Sequence, residues 1–358
     1  MANVSTITFP TPSDARRGRS RITCVDVARI VGVAPSTVSR VINSSDRVSP
    51  KTRDRVLSAI KTTGYRPSLS ASSLPRRTHG TIGLISEVEG ADDSSYGTDL
   101  IKGVSFALMR FGLRLAMDMV HVRSDAHAIE SLPLLRSVSI DGMILDVCNV
   151  RGNVGEVADQ LQIPVVFVNA PEPRTFNTIM PDDTAVARSA AEYLLKHGHR
   201  KIGYFPGAAV NKHSSQSLRM NGYSRAIFKA ELHPIPMWDV PMASNGYQLP
   251  DYIERVRKYR SLGCTGIVTY NAPTAAYLLR ACAHLGISVP GELSIISCDY
   301  DPMVPFAIVP ITCYRLDRVE MGRMAVEMLL NRIENGTKNV PSVFLAGELK
   351  EMDSVRTL

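Results

Sequence analysis

Residues 22–67, ITCVDVARIVGVAPSTVSRVINSSDRVSPKTRDRVLSAIKTTGYRP, hold three helical patterns, and the first two are joined by a turn too tight for anything but a helix-turn-helix. Thr23 is placed to cap the first helix, with Asp26 three residues on to complement the helix dipole. Val27, Ala28 and Val31 share one face. Gly32 fits the left-handed position that ends a helix without strain. Pro35 suits the first position of the second helix, where its missing N–H would have no partner anyway. Val38, Val41 and Ile42 form that helix's inner stripe and leave Ser36, Thr37, Ser39, Arg40 and Asn43 on the other faces. Ser49-Pro50 opens the third helix, which is expected to bury Val56, Leu57 and Ile60 and to stop at Gly64.

Charge is distributed to match. Residues 1–79 carry fourteen Lys/Arg against four Asp and no Glu, a net of +10, while the remaining chain carries 27 basic and 30 acidic residues, a net of −3. A basic head on a mildly acidic body points to a polyanion contact at one end. Residues 1–20, with Arg16-Arg17-Gly18-Arg19, read as a disordered basic arm. On the second helix Arg40 can meet guanine O6 and N7 with both prongs, and the hydroxyls can serve bases or phosphates. A solvated polar face is the plain alternative for any Ser/Thr/Arg cluster. Turn spacing and charge asymmetry together favour DNA reading.

The run Asp26-Val-Ala-x-x-x-Gly32-Val-x-x-x-Thr37-Val38-Ser39-Arg40-Val41-x-Asn43, followed by Val48-Ser49-x-x-Thr52-Arg53 and Gly64-Tyr65-x-Pro67, resembles the LacI/GalR family of bacterial transcription regulators. The resemblance implies that Pro35 and Ser36 occupy the two main specificity positions and that Arg40 contacts a base or phosphate. It implies phosphate or positioning roles for Thr23, Thr37, Ser39, Asn43, Ser49 and Thr52. Ala34 departs from the pattern, since family members commonly carry Ser there as a cap.

Residues 67–79 contain Ser68-Leu-Ser-Ala-Ser-Ser-Leu74-Pro75-Arg76-Arg77, which taken alone is a small, polar linker. Similar regulators fold a hinge helix here on DNA, and Ala71 and Leu74 match residues that enter the minor groove. Ser72 replaces a frequent Arg, and Pro75 follows the leucine directly.

From residue 80 the pattern becomes alternating β and α. Strands are expected at Thr81–Ser86, Leu113–Met119, Gly142–Val147, Val165–Asn169, Lys201–Pro206, Gly266–Asn271, Ser294–Asp299 and Ile311–Arg315. Amphipathic helices are expected near Thr98–Phe111, Thr184–His197 and Pro273–Leu285. Such alternation argues for parallel sheets covered on both faces, and residues 80–358 suit two lobes. Leu195-Lys-His-Gly-His-Arg-Lys-Ile-Gly203, Arg219-x-x-Gly-Tyr223, Val289-Pro-Gly-Glu-Leu-Ser-Ile-Ile296 and Met321-Gly-x-x-Ala325-Val are similar to landmarks of the same family. The resemblance implies a small all-α DNA-binding head, residues 21–66, on an α/β effector-binding and dimerisation core of two Rossmann-like lobes, as in periplasmic sugar-binding proteins. The lobes are expected at about 80–182 with 315–340, and 183–314 with 341–358, joined by three crossovers.

Ligand would bind in the cleft near the carboxyl ends of the strands. Arg219 matches the arginine that similar regulators aim at effector oxygens, and Asp299 matches their hydroxyl-binding acid. Asn271, Asn169 and Asp146 end other strands, and Tyr96 falls where an aromatic often contacts ligand. The plain alternative for each is a strand-end polar residue that satisfies its own loop. Ala272 stands where Asp is frequent, Ser94-Ser95-Tyr96-Gly97 replaces the usual Asn-Pro-aromatic loop, and Asn169 replaces a common Asp.

Enzyme readings find little support, since the chain has no GxGxxG after the first strand, no GxxxxGK[ST] and no GxSxG. The six cysteines, at 24, 148, 264, 282, 298 and 313, form no CxxC pair and read as reduced core thiols. His197 and His199 lack a third ligand nearby, so no metal and no cofactor are expected. No signal peptide and no apolar run of 18 residues is seen, which favours a protein of the bacterial cytoplasm and nucleoid with no membrane partner. The expected function is that of a sequence-specific transcription regulator, a repressor by preference. It would bind a near-palindromic operator as a homodimer under a sugar-like effector. The alternatives are a sugar-binding or sugar-active protein with a DNA-binding head, or an activator of the same architecture.

Overall fold

The computed structural model describes residues 22–42, 48–63, 65, 79–88, 96–121, 124–137, 139–147, 154–170, 174–207, 214–235 and 248–358. The chain divides into two compact units, Met1–His79 and Gly80–Leu358.

In the first unit, α1 (Cys24–Val31), α2 (Pro35–Ile42) and α3 (Pro50–Thr63) enclose one apolar cluster. Thr23 and Asp26 form a reciprocal capping box, with Asp26 N–H donating to Thr23 Oγ1 at 3.2 Å and Thr23 N–H to Asp26 Oδ2 at 2.9 Å. These bonds hold the Asp26 carboxyl below its ordinary pKa. Gly32 ends α1 at φ 71°, and after two intervening residues α2 begins at Pro35. Val27, Ala28, Val31, Val38, Val41 and Val56 are buried, and Ile42 and Ile60 pack against them. Leu57 corrects the sequence expectation, being 49% exposed. The inward stripe of α3 is Val56, Ala59 and Ile60, at i, i+3 and i+4, and Leu57, one position off it, turns to the side. Arg55 fastens α3 to α1 by donating from Nη2 to the Val31 carbonyl at 2.6 Å.

The second unit contains two sheets. The first runs β10-β5-β4-β3-β1-β2, all parallel, from β1 (Thr81–Val88), β2 (Arg114–His121), β3 (Gly142–Asp146), β4 (Val165–Val168), β5 (Thr178–Pro181) and β10 (Val343–Leu345). The second runs β11-β9-β8-β7-β6, from β6 (Ile202–Phe205), β7 (Gly266–Thr269), β8 (Ser294–Ser297), β9 (Thr312–Arg315) and β11 (Glu348–Lys350), with only β11 antiparallel. Every residue of β3 through β8 is buried, as strands covered by helices on both faces require. The helices that matter for the site are α4 (Tyr96–Arg110), α5 (Pro133–Ser137), α6 (Val154–Gln160), α7 (Asp183–Lys196), α8 (Ser214–Lys229), α9 (Leu249–Ser261), α10 (Ala272–His284) and α11 (Arg318–Asn335). α4 and α11 share a buried cluster with the first sheet, and α7 and α8 share one with the second.

The chain crosses between the sheets three times. It leaves β5 for α7 at Asp182, leaves β9 for α11 at Leu316–Asp317, and leaves β10 for β11 at Ala346–Gly347. Two lobe boundaries expected from sequence therefore move. Arg315 still belongs to the second sheet, where it pairs with Glu348. Residues 341–345 belong to the first lobe, because Val343–Leu345 pairs in parallel with β5. A three-residue edge strand carries too little pattern to be read locally. Val147, Asn169, Pro206, Asn271 and Asp299 fall just past the strands expected to include them, at the carboxyl ends where polar residues turn the chain.

Candidate nucleic-acid interface and ligand cleft

On α2, Val38 and Val41 anchor the helix while Pro35, Ser36 and Arg40 are exposed and Thr37 and Ser39 half-buried. A short helix pinned by two valines presents its polar face rigidly, which suits entry of its N-terminal residues into a major groove. The Ala34 carbonyl accepts the first helical bonds, from Thr37 and Val38, so the helix starts without a capping hydroxyl. Thr23 Oγ1 and Ser49 Oγ both accept from their own helix starts, the latter from Thr52 N–H at 3.3 Å, and Ser49 also donates to Thr52 Oγ1 at 2.9 Å. Thr23, Ser49 and Thr52 thus stand at helix beginnings. Asn43, Ala71, Leu74, the arm 1–20 and all of the hinge except His79 lie outside the described residues.

In the core, Arg219 is a buried residue of α8. Its Nε donates to Asp183 Oδ1 at 2.6 Å and its Nη1 to the Tyr270 carbonyl at 2.5 Å, while the guanidinium lies 4.7 Å over the Tyr270 ring. Burial alone would lower the Arg219 pKa, but Asp183, helped by Tyr270 and Asp299, outweighs it and holds the guanidinium charged. The pair forms because α7 and α8 cross very closely at Gly222, where an added Cβ would run into the Thr184 carbonyl. Tyr270 Oη and Ser215 Oγ are 2.6 Å apart beside it.

Asp299, two residues past β8, forms a second pair. Arg318, the first residue of α11, places Nη2 at 2.9 Å from Oδ1 and 2.6 Å from Oδ2. Asn271 caps α10, accepting from Thr274 N–H at 3.0 Å and from its hydroxyl at 2.6 Å. In the first lobe Asp146 is buried and accepts from Ser86 Oγ at 2.9 Å. Asn169 follows β4 with φ 51°, its N–H bonded to the Ile179 carbonyl at 3.0 Å. Tyr96 opens α4, and its side chain lies outside the described residues. The structure thus brings Arg219 and Asp299 into one electrostatic neighbourhood and sets Asp146 and Asn169 at strand ends of the other sheet. Sequence reasoning missed Asp183 and Arg318. Each opens a helix just after a crossover, and that position was the available signal.

Elsewhere the polar groups are structural. His199 is buried, with ring nitrogens 3.0 Å from Thr265 Oγ1 and 3.1 Å from the Arg356 carbonyl. Cys264, Cys282, Cys298 and Cys313 are buried, and burial pushes each thiol up to about 12. Among the described residues, no group of three or more His, Cys, Asp or Glu is placed to hold a metal, and no helix is long and apolar enough to cross a membrane.

A helix-turn-helix head joined to a two-lobed α/β core defines a class, the DNA-binding regulator with a periplasmic-binding-protein-like core. Known proteins agree. Residues 23–68 match the model of bacterial regulatory proteins of the lacI family, and residues 191–355 match the periplasmic binding protein-like domain. The chain is 28% identical over 314 residues to the HTH-type transcriptional regulator GalS of Salmonella typhimurium, covering 86% of this chain and 89% of that one. It is 28% identical over 348 residues to the HTH-type transcriptional repressor PurR of Haemophilus influenzae, covering 94% and 99%. The lac repressor dimer bound to operator and the anti-inducer ONPF superposes with a TM-score of 0.80 at 21% identity, over 94% of this chain and 100% of that one. A complex of the regulator CelR with cellobiose gives 0.64 at 24% identity, over 93% and 100%. The chain belongs to the LacI/GalR family of DNA-binding transcription regulators.

Proposed function

We propose that this regulator is a repressor that binds a near-palindromic operator as a homodimer and answers to a small effector, a sugar or sugar derivative, held between its lobes. The observation that carries the reading is the reader helix: Pro35, Ser36 and Arg40 stand exposed on a helix whose Val38 and Val41 are buried. Thr23, Thr37, Ser39, Asn43, Ser49 and Thr52 would position the head on phosphates, and Ala71 and Leu74 would enter the minor groove from the hinge. Arg219, Asp299, Asn271, Asn169, Asp146 and Tyr96 would line the effector site. The solved relatives bound to operator and to cellobiose support a DNA partner and a sugar-like ligand. No catalytic role is assigned, in keeping with relatives that are regulators. The site of action is the bacterial nucleoid.

The test is selection of binding sites from random duplex DNA, followed by fluorescence anisotropy with and without candidate sugars. The reading expects a twofold-symmetric site and an affinity that shifts with one ligand. Equal affinity for selected and random duplexes would sink it.

A further inference from the structure

We propose that the core takes an uncharged, hydroxyl-rich ligand and rejects its phosphorylated or carboxylated counterparts, and that the Arg219–Asp183 and Arg318–Asp299 pairs set this choice. The inference rests on the effector site proposed above and narrows its ligand class.

Two arginines reach the strand ends of the second sheet, Arg219 from α8 and Arg318 from the start of α11. An arginine at a ligand site ordinarily favours an anion, because its planar fork matches carboxylate and phosphate. Here each fork already faces a carboxylate of the chain. Arg219 lies 2.6 Å from Asp183, with side chains 5% and 1% exposed, and Arg318 lies 2.6 Å from Asp299, with 10% and 17%. An anionic ligand that approached either guanidinium would meet the paired carboxylate at nearly the same distance. It would lose its hydration without gaining a net opposite charge.

What the neighbourhood retains is hydrogen-bonding capacity. Asp183 Oδ2, Ser214 Oγ and Tyr204 Oη are buried with no partner among the described residues. Tyr204 lies within electrostatic reach of Asp183, Arg219 and Tyr270, so at least two of these unmet groups belong to one cluster. Acceptors and donors in balance, with no net charge, fit hydroxyls, each of which can both donate and accept. The Arg318 pair adds a consequence. Asp299 belongs to the second sheet, whereas α11 packs on the first lobe, so a hydroxyl that shares Asp299 with Arg318 acts across the lobe boundary.

The experiment uses the full chain, with thermal shift and calorimetry on matched probes: ribose with ribose 5-phosphate, glucose with glucose 6-phosphate and gluconate, and inorganic phosphate as a bare anion. The neutral member of at least one pair is expected to bind, its charged counterpart at least about tenfold more weakly, and phosphate without a saturable shift. Asp299→Asn, which removes the carboxylate charge that faces Arg318, should gain phosphate or sugar-phosphate affinity by about tenfold. Asp183→Asn should do the same at Arg219 where it folds. A charged member that binds as tightly as its neutral partner overturns the proposal. So does an Asp299→Asn protein with no gain in anion affinity, whether or not any sugar binds the parent. Operator affinity is read in the same samples. A neutral ligand that binds selectively yet leaves operator affinity unchanged supports the charge selectivity and counts against the effector role.

Discussion

Arg219 Nε donates to Asp183 Oδ1 across 2.6 Å in a pair all but closed to solvent. The two residues lie 36 positions apart and meet because Gly222, one turn beyond Arg219, lets α8 settle against the first turn of α7. The arginine read from sequence as a ligand contact is thus also a structural ion, and its substitution has two consequences.

Arg219→Met should leave Asp183 buried without its partner and destabilise the core by about 3–5 kcal/mol. Arg219→Met combined with Asp183→Asn should recover part of that loss. Urea denaturation of both proteins checks it, and a single mutant as stable as the parent would show the pair to be energetically idle. Loss of effector response in Arg219 variants is also expected, and it counts as evidence for the site only under conditions where the variant is folded.

Gly222→Ala should cost about 1–3 kcal/mol, because a methyl group there meets the Thr184 carbonyl oxygen. Gly97→Ala is the control. It lies in the first turn of α4 with nothing within 4 Å of an added Cβ, and should be neutral or stabilising by under about 1 kcal/mol. Equal melting temperatures for the two variants would refute the close crossing.

Arg40→Ala should weaken operator binding by about 1–3 kcal/mol and relax preference at one base position. Anisotropy against a set of single-base operator variants reads both. An equal loss on specific and random DNA would reduce Arg40 to a phosphate contact.

The homodimer should depend on the core. Phe106 and Met109 on α4 are 60% and 72% exposed, and Met119 on the edge strand β2 is 52% exposed, which is more apolar surface than a solvated face ordinarily carries. Met109→Arg should lower the molar mass seen by light scattering of the full chain at micromolar concentration. A parent protein that is already monomeric there would defeat the dimer.

His199 makes stability pH-dependent. Burial holds its pKa below the ordinary value near 6.5 that applies in the unfolded chain. The unfolded chain therefore binds the proton more readily, so the His199 contribution is fully present above about pH 6.5 and is lost as pH falls through that value toward the depressed pKa. The melting temperature should drop between about pH 7.5 and 5.5, and His199→Gln should flatten that drop. An unchanged slope in the variant would assign the drop to other groups.

Much of this molecule was legible along the chain. Thr23, Gly32 and Pro35 act within one helical turn of themselves, so their capping and stopping roles follow from local backbone geometry. Apart from the partly exposed edge strand β2, the strands read from sequence between Thr81 and Arg315 were legible because buried parallel strands are nearly continuous apolar runs. Leu57 misled, since an apolar residue next to the Val56–Ile60 stripe looks as inward as its neighbours until the packing shows that Ala59 fills the face instead. Val343–Leu345 and Glu348–Lys350 were missed as three-residue edge strands, and Thr178–Pro181 because a Thr and a Pro interrupt its apolar run.

Sequence alone determined the head, its charge and the alternation of the core, because periodicity, caps and charge counts are properties of neighbouring residues. Only the tertiary structure decided that Arg219 answers Asp183 and Arg318 answers Asp299. Those partners lie 36 and 19 positions apart and are joined by a helix crossing and a chain crossover. Whether an arginine offers its charge to a ligand or returns it to its own fold depends on which carboxylate is nearest in space, and no spacing along the chain contains that distance.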